Sequence, residues 1–486
     1  MRKQKISTFM ALGMVCLSLH CGFVSVDDVS VYAVEKKQVK ATITPKATIT
    51  SKAIITSKAT ITPKATITPK TTVTPKTAEE VKTVEYTIST KTKPCDKSAN
   101  YSTYNKYTKH YYTILSYLKK LEAEGGGTLI LKKGTYTITN TLYVPSNVTI
   151  LFQDGVILKK GTKTDLENMP ASKSVFQLAN PSEASVEGMY AEYNGVHDVA
   201  FVGEGNVMID MNYDENALGI MMGHNQNVTI KGITFQNMFS GHFIEMDASK
   251  NVVVENCTFK NHKDSSGNNK EAINLDTPDK STGGFHANWS AYDKTPNENV
   301  LIQNCVFTDL ERAIGTHKYS EGKVHKNIQI LNNKITRCDK DAICVMNWED
   351  VIIQGNMVDT VTDGTATKYR AVLVRGVKNM RLTGNAFYNV ARAVQLYPWK
   401  NSGGGAEYAM VDNLLTEEEV ELLKNNILSG GVENFIRWNK TYNVFDKDTV
   451  KIPLNEKLAP VATVTPTPIL TQTPKRTYKK LVKNHF

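Results

Sequence analysis

The clearest pattern along the chain is a strand-like unit of alternating apolar and polar positions that recurs six times. NVTIKGITF begins at Asn227, NVVVENCTF at Asn251, NVLIQNCVF at Asn299, NIQILNNKI at Asn327, DVIIQGNMV at Asp350 and NMRLTGNAF at Asn379, so the starts lie 24, 48, 28, 23 and 29 residues apart. A period of twenty-odd residues is that of one coil of a solenoid, and the larger gaps are coils carrying inserted loops. The sixth residue of each unit is Gly232, Asn256, Asn304, Asn332, Gly355 or Gly384. Gly and Asn are the types that tolerate the left-handed backbone of a tight corner. Three positions further on stand Phe235, Phe259, Phe307, Ile335, Val358 and Phe387, which predicts an apolar ladder up the interior.

A second strand series follows each unit: HFIEMD, EAINLD, RAIGTH, DAICVM, RAVLVR and RAVQLY. Aligning Ile244, Ile273, Ile314, Ile343, Val372 and Val394 as one interior column turns two other columns outward by strand alternation. One reads Asp247, Asp276, His317, Met346, Arg375, Tyr397, and the other Glu245, Asn274, Gly315, Cys344, Leu373, Gln395. The residues that open each hexad, His242, Glu271, Arg312, Asp341, Arg370 and Arg392, would face inward by parity, which places them on the preceding turn instead. Ahead of the repeats, Asn105 to Glu124 has helical apolar spacing with Tyr111, Ile114, Leu115, Leu118 and Leu121 on one side, and Gly125-Gly126-Gly127 stops it. A helix there caps the first coil, whose sheet edges would otherwise be open.

Charge changes the picture mainly by where it sits. The formal net charge is +10, yet residues 1–100 carry 16 Lys+Arg against 7 Asp+Glu, residues 461–486 carry 5 against none, and residues 101–460 carry 37 against 41. The body is mildly acidic, which excludes the basic stripe of a nucleic-acid groove. Arg2, Lys3 and Lys5 precede the mostly apolar Phe9–Val26, and Val31-Tyr32-Ala33 offers a cleavage site. Residues 1–33 therefore read as a secretory signal, too short to span a bilayer. Residues 41–76 are six Thr/Pro/Lys hexads from ATITPK to TTVTPK. They cannot build a core, and residues 34–99 read as a linker whose lysines suit an anionic cell-wall polymer. A Thr/Pro-rich and basic tail follows from residue 456. Beyond the signal, Cys95, Cys257, Cys305, Cys338 and Cys344 lack disulfide-scaffold or zinc spacing and read as buried thiols. A monomer that is secreted, with retention at the cell surface, fits these tails.

GGGTLILKKGTYTI, VPSNVTILFQDGVIL and FVGEGNVMID resemble the opening coils of the pectate-lyase/polygalacturonase superfamily, and the repeat similarity covers residues 125–446. The resemblance implies an all-β, single-stranded right-handed parallel β-helix over residues 100–455, with an N-terminal capping helix and disordered tails. It also implies a secreted enzyme acting on polysaccharide, with adhesins and phage tail proteins as a minority. Neighbouring strands lie ~4.8 Å apart, so Glu245, Asp247, Glu271, Asp276 and His317 can share one patch across three coils, bordered by Arg312, Lys318, Arg370 and Arg375. The loop from Thr277 to Glu298 brings His286, Trp289 and Tyr292 beside it, as sugar stacking requires.

Paired carboxylates favour glycoside hydrolysis, by acid and base or by acid and nucleophile. The order Asp247, Asp276, His317, Arg375 is similar to the polygalacturonase column, although EMD, NLD, GTH and VRG replace that family's own motifs. The alternative is a lyase on a uronic-acid polymer, with Arg375, Lys318 or His317 as base and the sugar carboxylate neutralised by Arg/Lys or by Ca²⁺ on Asp247 and Asp276. No cofactor is required for hydrolysis. A third reading is a non-catalytic glycan- or wall-binding module.

Overall fold

The computed structural model describes residues 84–263, 270–399, 412–441 and 449–455, all inside one unit running from Glu79 to Phe486. The secretory segment, the Lys hexads and the basic tail lie outside the described residues.

Each coil contributes three strands, and each strand hydrogen-bonds in parallel to its equivalent one coil away. Gln226–Lys231, Thr234–Phe239 and His242–Asp247 make one coil, and Lys250–Glu255, Thr258–Lys263 and Glu271–Asp276 the next. Glu298–Gln303, Val306–Leu310 and Arg312–Gly315 follow. In the next two coils the third strand runs straight on into the coil above, as Ile343–Gln354 and Val372–Thr383. The stack ends on an antiparallel pair, Phe435–Trp438 with Val450–Pro453.

The corners form for the reason the sequence suggests: Gly232, Asn256, Asn304, Asn332, Gly355 and Gly384 all have φ between 53° and 70°. The first residue of each unit is left-handed as well, from Asn227 at 56° to Asn379 at 54°. Inside, Phe259 stacks between Phe235 at 5.0 Å and Phe307 at 4.9 Å between ring centroids. Cys257, Cys305, Cys338 and Cys344 are buried free thiols, whereas Cys95 is exposed.

Lys109–Ala123 is the capping helix, with Ile114, Leu115, Leu118 and Leu121 buried against the first coils. The linker expected through residue 99 ends earlier. Glu85–Ile88 is a strand paired with Gly127–Leu131, and Ile88 is in the core, so the solenoid begins before the helix. A short helix, Glu417–Leu423, opens on a Thr416/Glu419 capping box and was not apparent from the repeats.

Candidate functional site

The register of the third strands puts the functional columns where alternation predicts. Ile244 pairs with Ile273, Glu245 with Asn274 and Asp247 with Asp276. Ile314 pairs with Ile343, and Met346 with Arg375. The hexad-opening residues differ from expectation. Phe243 and Ile244, Ala272 and Ile273, and Ala313 and Ile314 are consecutive and all belong to the core. Alternation therefore breaks at the start of each strand. His242, Glu271 and Arg312 become its first residues rather than part of a turn, and they emerge on the site side.

Two clefts result. The first, about 580 Å³, is lined by Glu245, His317, Lys318 and His286 together with His242 and Lys270. Gly283, Gly284 and His286 of the loop after Asp276 make one wall. The second, about 490 Å³, is lined by Arg312, Arg370 and Arg375 with Lys340, Asp341, Lys368, Tyr369 and Tyr397. Arg375 is thus not grouped with the acidic patch. A ladder of buried ion pairs connects the two clefts: Glu271 Oε1 to Arg312 Nη1 at 3.1 Å, Arg312 Nη2 to Asp341 Oδ2 at 3.5 Å, and Asp341 Oδ1 to Arg370 Nε at 3.3 Å.

Behind the first cleft, His317 is held by two carboxylates. Its Nδ1 lies 3.0 Å from Glu271 Oε2 and 3.4 Å from Asp276 Oδ2. Asp276 Oδ1 also accepts from the backbone N–H groups of His317 and Lys318, both at 3.1 Å. Asn274 Nδ2 lies 2.9 Å from the same Nδ1, while Asn274 Oδ1 is buried without a partner. Reversing that amide would give the charged imidazole an acceptor. The His242 ring stacks on His317 at 5.5 Å, and its Nδ1 meets the Glu271 carbonyl at 2.6 Å.

These surroundings pull the groups apart. Burial and the charge of Asp276 push the Glu245 carboxyl up to about 8. Burial also raises Asp247 and Asp276, Asp247 well above the usual range, and Glu245 adds to the Asp247 shift. Glu271 moves the other way: burial opposes its charge, but His317 and Arg312 overcome that and hold it below the ordinary carboxylate range. For His317, Asp276 and Glu271 outweigh burial and raise the imidazole. Burial, reinforced by the charges of Lys270 and His317, takes His242 down to about 3.

Asp247 and Asp276, expected as an exposed pair, are both fully buried. The loop folds its aromatics over that column. A Cβ on Gly223, the strand neighbour of Asp247, would sit 2.6 Å from Phe285 Cζ and 3.0 Å from Trp289. Trp289 is 1% exposed and donates Nε1–H to Gln177 Oε1 at 3.0 Å, so its ring offers no face to a sugar. Tyr292 is half-buried, and its hydroxyl accepts from the Ala287 N–H at 3.1 Å. Neither oxygen of Asp247 has a hydrogen-bond partner.

Among the described residues the His, Cys, Asp or Glu group whose ligand atoms converge, within 4.8 Å, is His242, Glu271 and His317. There Glu271 already carries Arg312 and His317, two competing positive charges. The sequence columns hold His242, Asp341 and Tyr397 without a role for them, and Lys270 and Lys368 lie outside those columns. The signal available for Lys368 was the run Lys368-Tyr369-Arg370 just before its strand.

Comparison with known proteins accords with this architecture. The family described as the right-handed β-helix region matches residues 285–419. The fold is an all-β parallel β-helix. It is 28% identical over 273 residues to plasmin and fibronectin-binding protein A of Streptococcus pneumoniae (strain ATCC BAA-255 / R6). That match covers 51% of this chain and 36% of the relative, so the chain spans about a third of the relative's length. The structure of the S. pneumoniae surface protein and adhesin PfbA aligns with a TM-score of 0.52 at 22% identity, over 68% of this chain and 85% of that one. The tailspike of E. coli bacteriophage HK620, solved with a hexasaccharide, gives 0.40 at 16% identity over 59% and 55%. Among the described residues, no helix is long and apolar enough to cross a membrane.

Proposed function

We propose that this chain is an extracellular polysaccharide lyase that breaks a uronate-containing glycan in the Glu245 cleft by β-elimination. The carrying observation is the charge of that cleft: Lys270 and Lys318 stand with His317 around one carboxyl, Glu245, which stays protonated at neutral pH. Hydrolysis passes through a positive oxocarbenium-like state and asks for two carboxyl groups at the bond. Glu245 is the one acidic side chain lining the cleft among the described residues, and cations there oppose that state. Elimination builds negative charge on the sugar carboxylate and adjoining carbon, which the same cations stabilise.

In this reading Lys270 and Lys318 neutralise the uronate. His317, with Nδ1 committed to Glu271 and Asp276, uses its other nitrogen to take the proton next to the carboxylate. The electron pair of that C–H bond forms the double bond, the glycosidic C–O bond breaks, and the Glu245 proton goes to the leaving oxygen.

The test is incubation of the full chain with acidic and neutral polysaccharides, read by ultraviolet absorbance and by reducing ends. Absorbing, unsaturated product supports elimination, and reducing ends without absorbance support hydrolysis instead. A second reading, a docking module, is favoured by the similarity to a pneumococcal surface adhesin. Retention of glycan, or of plasmin or fibronectin as the relative's name describes, without product would select it. Surface retention through the Lys hexads belongs to the same proposal for either reading.

A further inference from the structure

The Arg375 cleft takes no part in that reaction, yet its charge is unbalanced. We propose that it is a second anion site, which holds a carboxylate or sulfate group of a glycan on the coils beyond Glu245. The proposal rests on the preceding reading only in taking a glycan to be the carrier of that group.

Five cationic side chains, Arg312, Lys340, Lys368, Arg370 and Arg375, line the cleft with one carboxylate, Asp341. That carboxylate is already committed: it meets Arg312 Nη2 at 3.5 Å and Arg370 Nε at 3.3 Å, and accepts from the Arg370 backbone N–H at 2.9 Å. Lys340 is drawn to Glu311 at 3.5 Å. Arg375 has no carboxylate partner among the described residues. Its Nη2 donates to the Tyr397 hydroxyl at 2.5 Å, its Cζ lies 4.0 Å from the Trp399 ring centroid, and its Nε is buried without a partner.

The Tyr397 hydroxyl also accepts from Arg370 Nη2 at 3.3 Å, so two guanidinium groups converge on one neutral oxygen. Like charges held together in a partly desolvated recess destabilise the protein until an anion enters. The imbalance is local. Arg392, in the same column as Arg312 and Arg370, is matched by Glu433 at 3.2 Å, and residues 101–460 as a whole are net acidic, 37 against 41. Forked guanidinium donors suit the two oxygens of a carboxylate or sulfate. The Tyr369 and Tyr397 rings supply the apolar side that a sugar ring needs. Because the ion-pair ladder from Glu271 to Arg370 links the clefts, one glycan laid along the coils can meet both.

The experiment is calorimetric titration of the full chain with a hexameric oligogalacturonate, a heparin-derived hexasaccharide and neutral cellohexaose. Expected is binding of one or both acidic hexamers and not of cellohexaose. Binding of the oligogalacturonate identifies a carboxylate ligand, and binding of the heparin fragment alone a sulfate. Arg375→Gln combined with Lys368→Gln should weaken binding by at least about tenfold, the scale of one lost charge-assisted contact. Lys334→Gln, an exposed cation on the opposite sheet, should change nothing. Lys368→Gln alone, at an exposed position, keeps the test valid if the double variant melts early, and should weaken binding in the same direction. Unchanged affinity in the variants, an equal loss in Lys334→Gln, or no binding of either acidic hexamer overturns the site. Arg375-dependent binding without unsaturated product keeps this site and removes the lyase reading. Unsaturated product with unaltered affinity in the variants does the reverse.

Discussion

Glu245 and Glu271 stand on adjoining strands, one in each of two successive coils, and their neighbours give them opposite chemistry. Glu245 is buried beside carboxylates and stays protonated to about 8, while Glu271, against Arg312 and His317, stays ionised. A pair driven apart in this way assigns the acid by environment. Activity should therefore be bell-shaped. It rises above pH 6.5 as His317, whose pKa is raised, loses its proton, and falls near 8 as Glu245 does. Glu245→Gln should lose at least ~10²-fold in turnover, the usual yield of general acid catalysis; a profile that keeps its alkaline limb in this variant would contradict the assignment.

Stability follows the same groups. The raised His317 stabilises fully below its unfolded value of 6.5, and that gain is lost as pH rises through the folded one. Burial of Glu245 costs stability once the unfolded chain ionises, between 4.5 and about 8. Both terms lower the melting temperature on the alkaline side. On the acid side, His242 at about 3 costs stability as pH falls below 6.5, and the Glu271 pairing is lost below 4.5. Melting should peak near pH 6 in a scan from 4 to 9, and Glu245→Gln should flatten the alkaline fall. Asp247 reaches neither cleft, and its two oxygens lack partners. Asp247→Asn should leave turnover within about twofold and melt no lower than the parent, whereas Asp276→Asn should release His317 and reduce turnover.

At the scale of the element, the coil was largely legible. The Gly/Asn corner and the Phe ladder are spacing signals, and both reappear as left-handed residues and stacked rings. Phe259→Ala, between two stacked neighbours, should cost about 3–5 kcal/mol in chemical denaturation. Asn304→Ala, at φ 53°, should cost about 1–2 kcal/mol, and Asn304→Gly much less. The parity break at the third strand was not legible, because alternation is a rule for uninterrupted strands. Two consecutive core residues, such as Ala272 and Ile273, look like ordinary apolar sequence until packing shows both inside. The buried asparagine stack was equally silent: Asn333, Asn356, Asn385 and Asn426 hydrogen-bond in turn at 2.9–3.0 Å, and nothing local in the chain distinguishes them from surface residues.

Across the whole molecule, the loop after Asp276 decides which carboxylates meet solvent. Phe285 and Trp289 form a small cluster with Tyr190 and Met221, separate from the main core. Trp289→Ala should raise amide exchange in residues 277–297 and raise KM, while the solenoid keeps its cooperative melt, since satellite clusters open below the global free energy.

The chain by itself determined the solenoid, its capping helix and the register of its columns, because coil repeats impose the same backbone geometry at the same sequence spacing. The tertiary structure alone decided that the acidic column is covered and that the exposed columns divide into a Glu245 cleft and an arginine cleft. Loop coverage and ion pairing join residues from different coils, and no spacing along the sequence encodes those contacts.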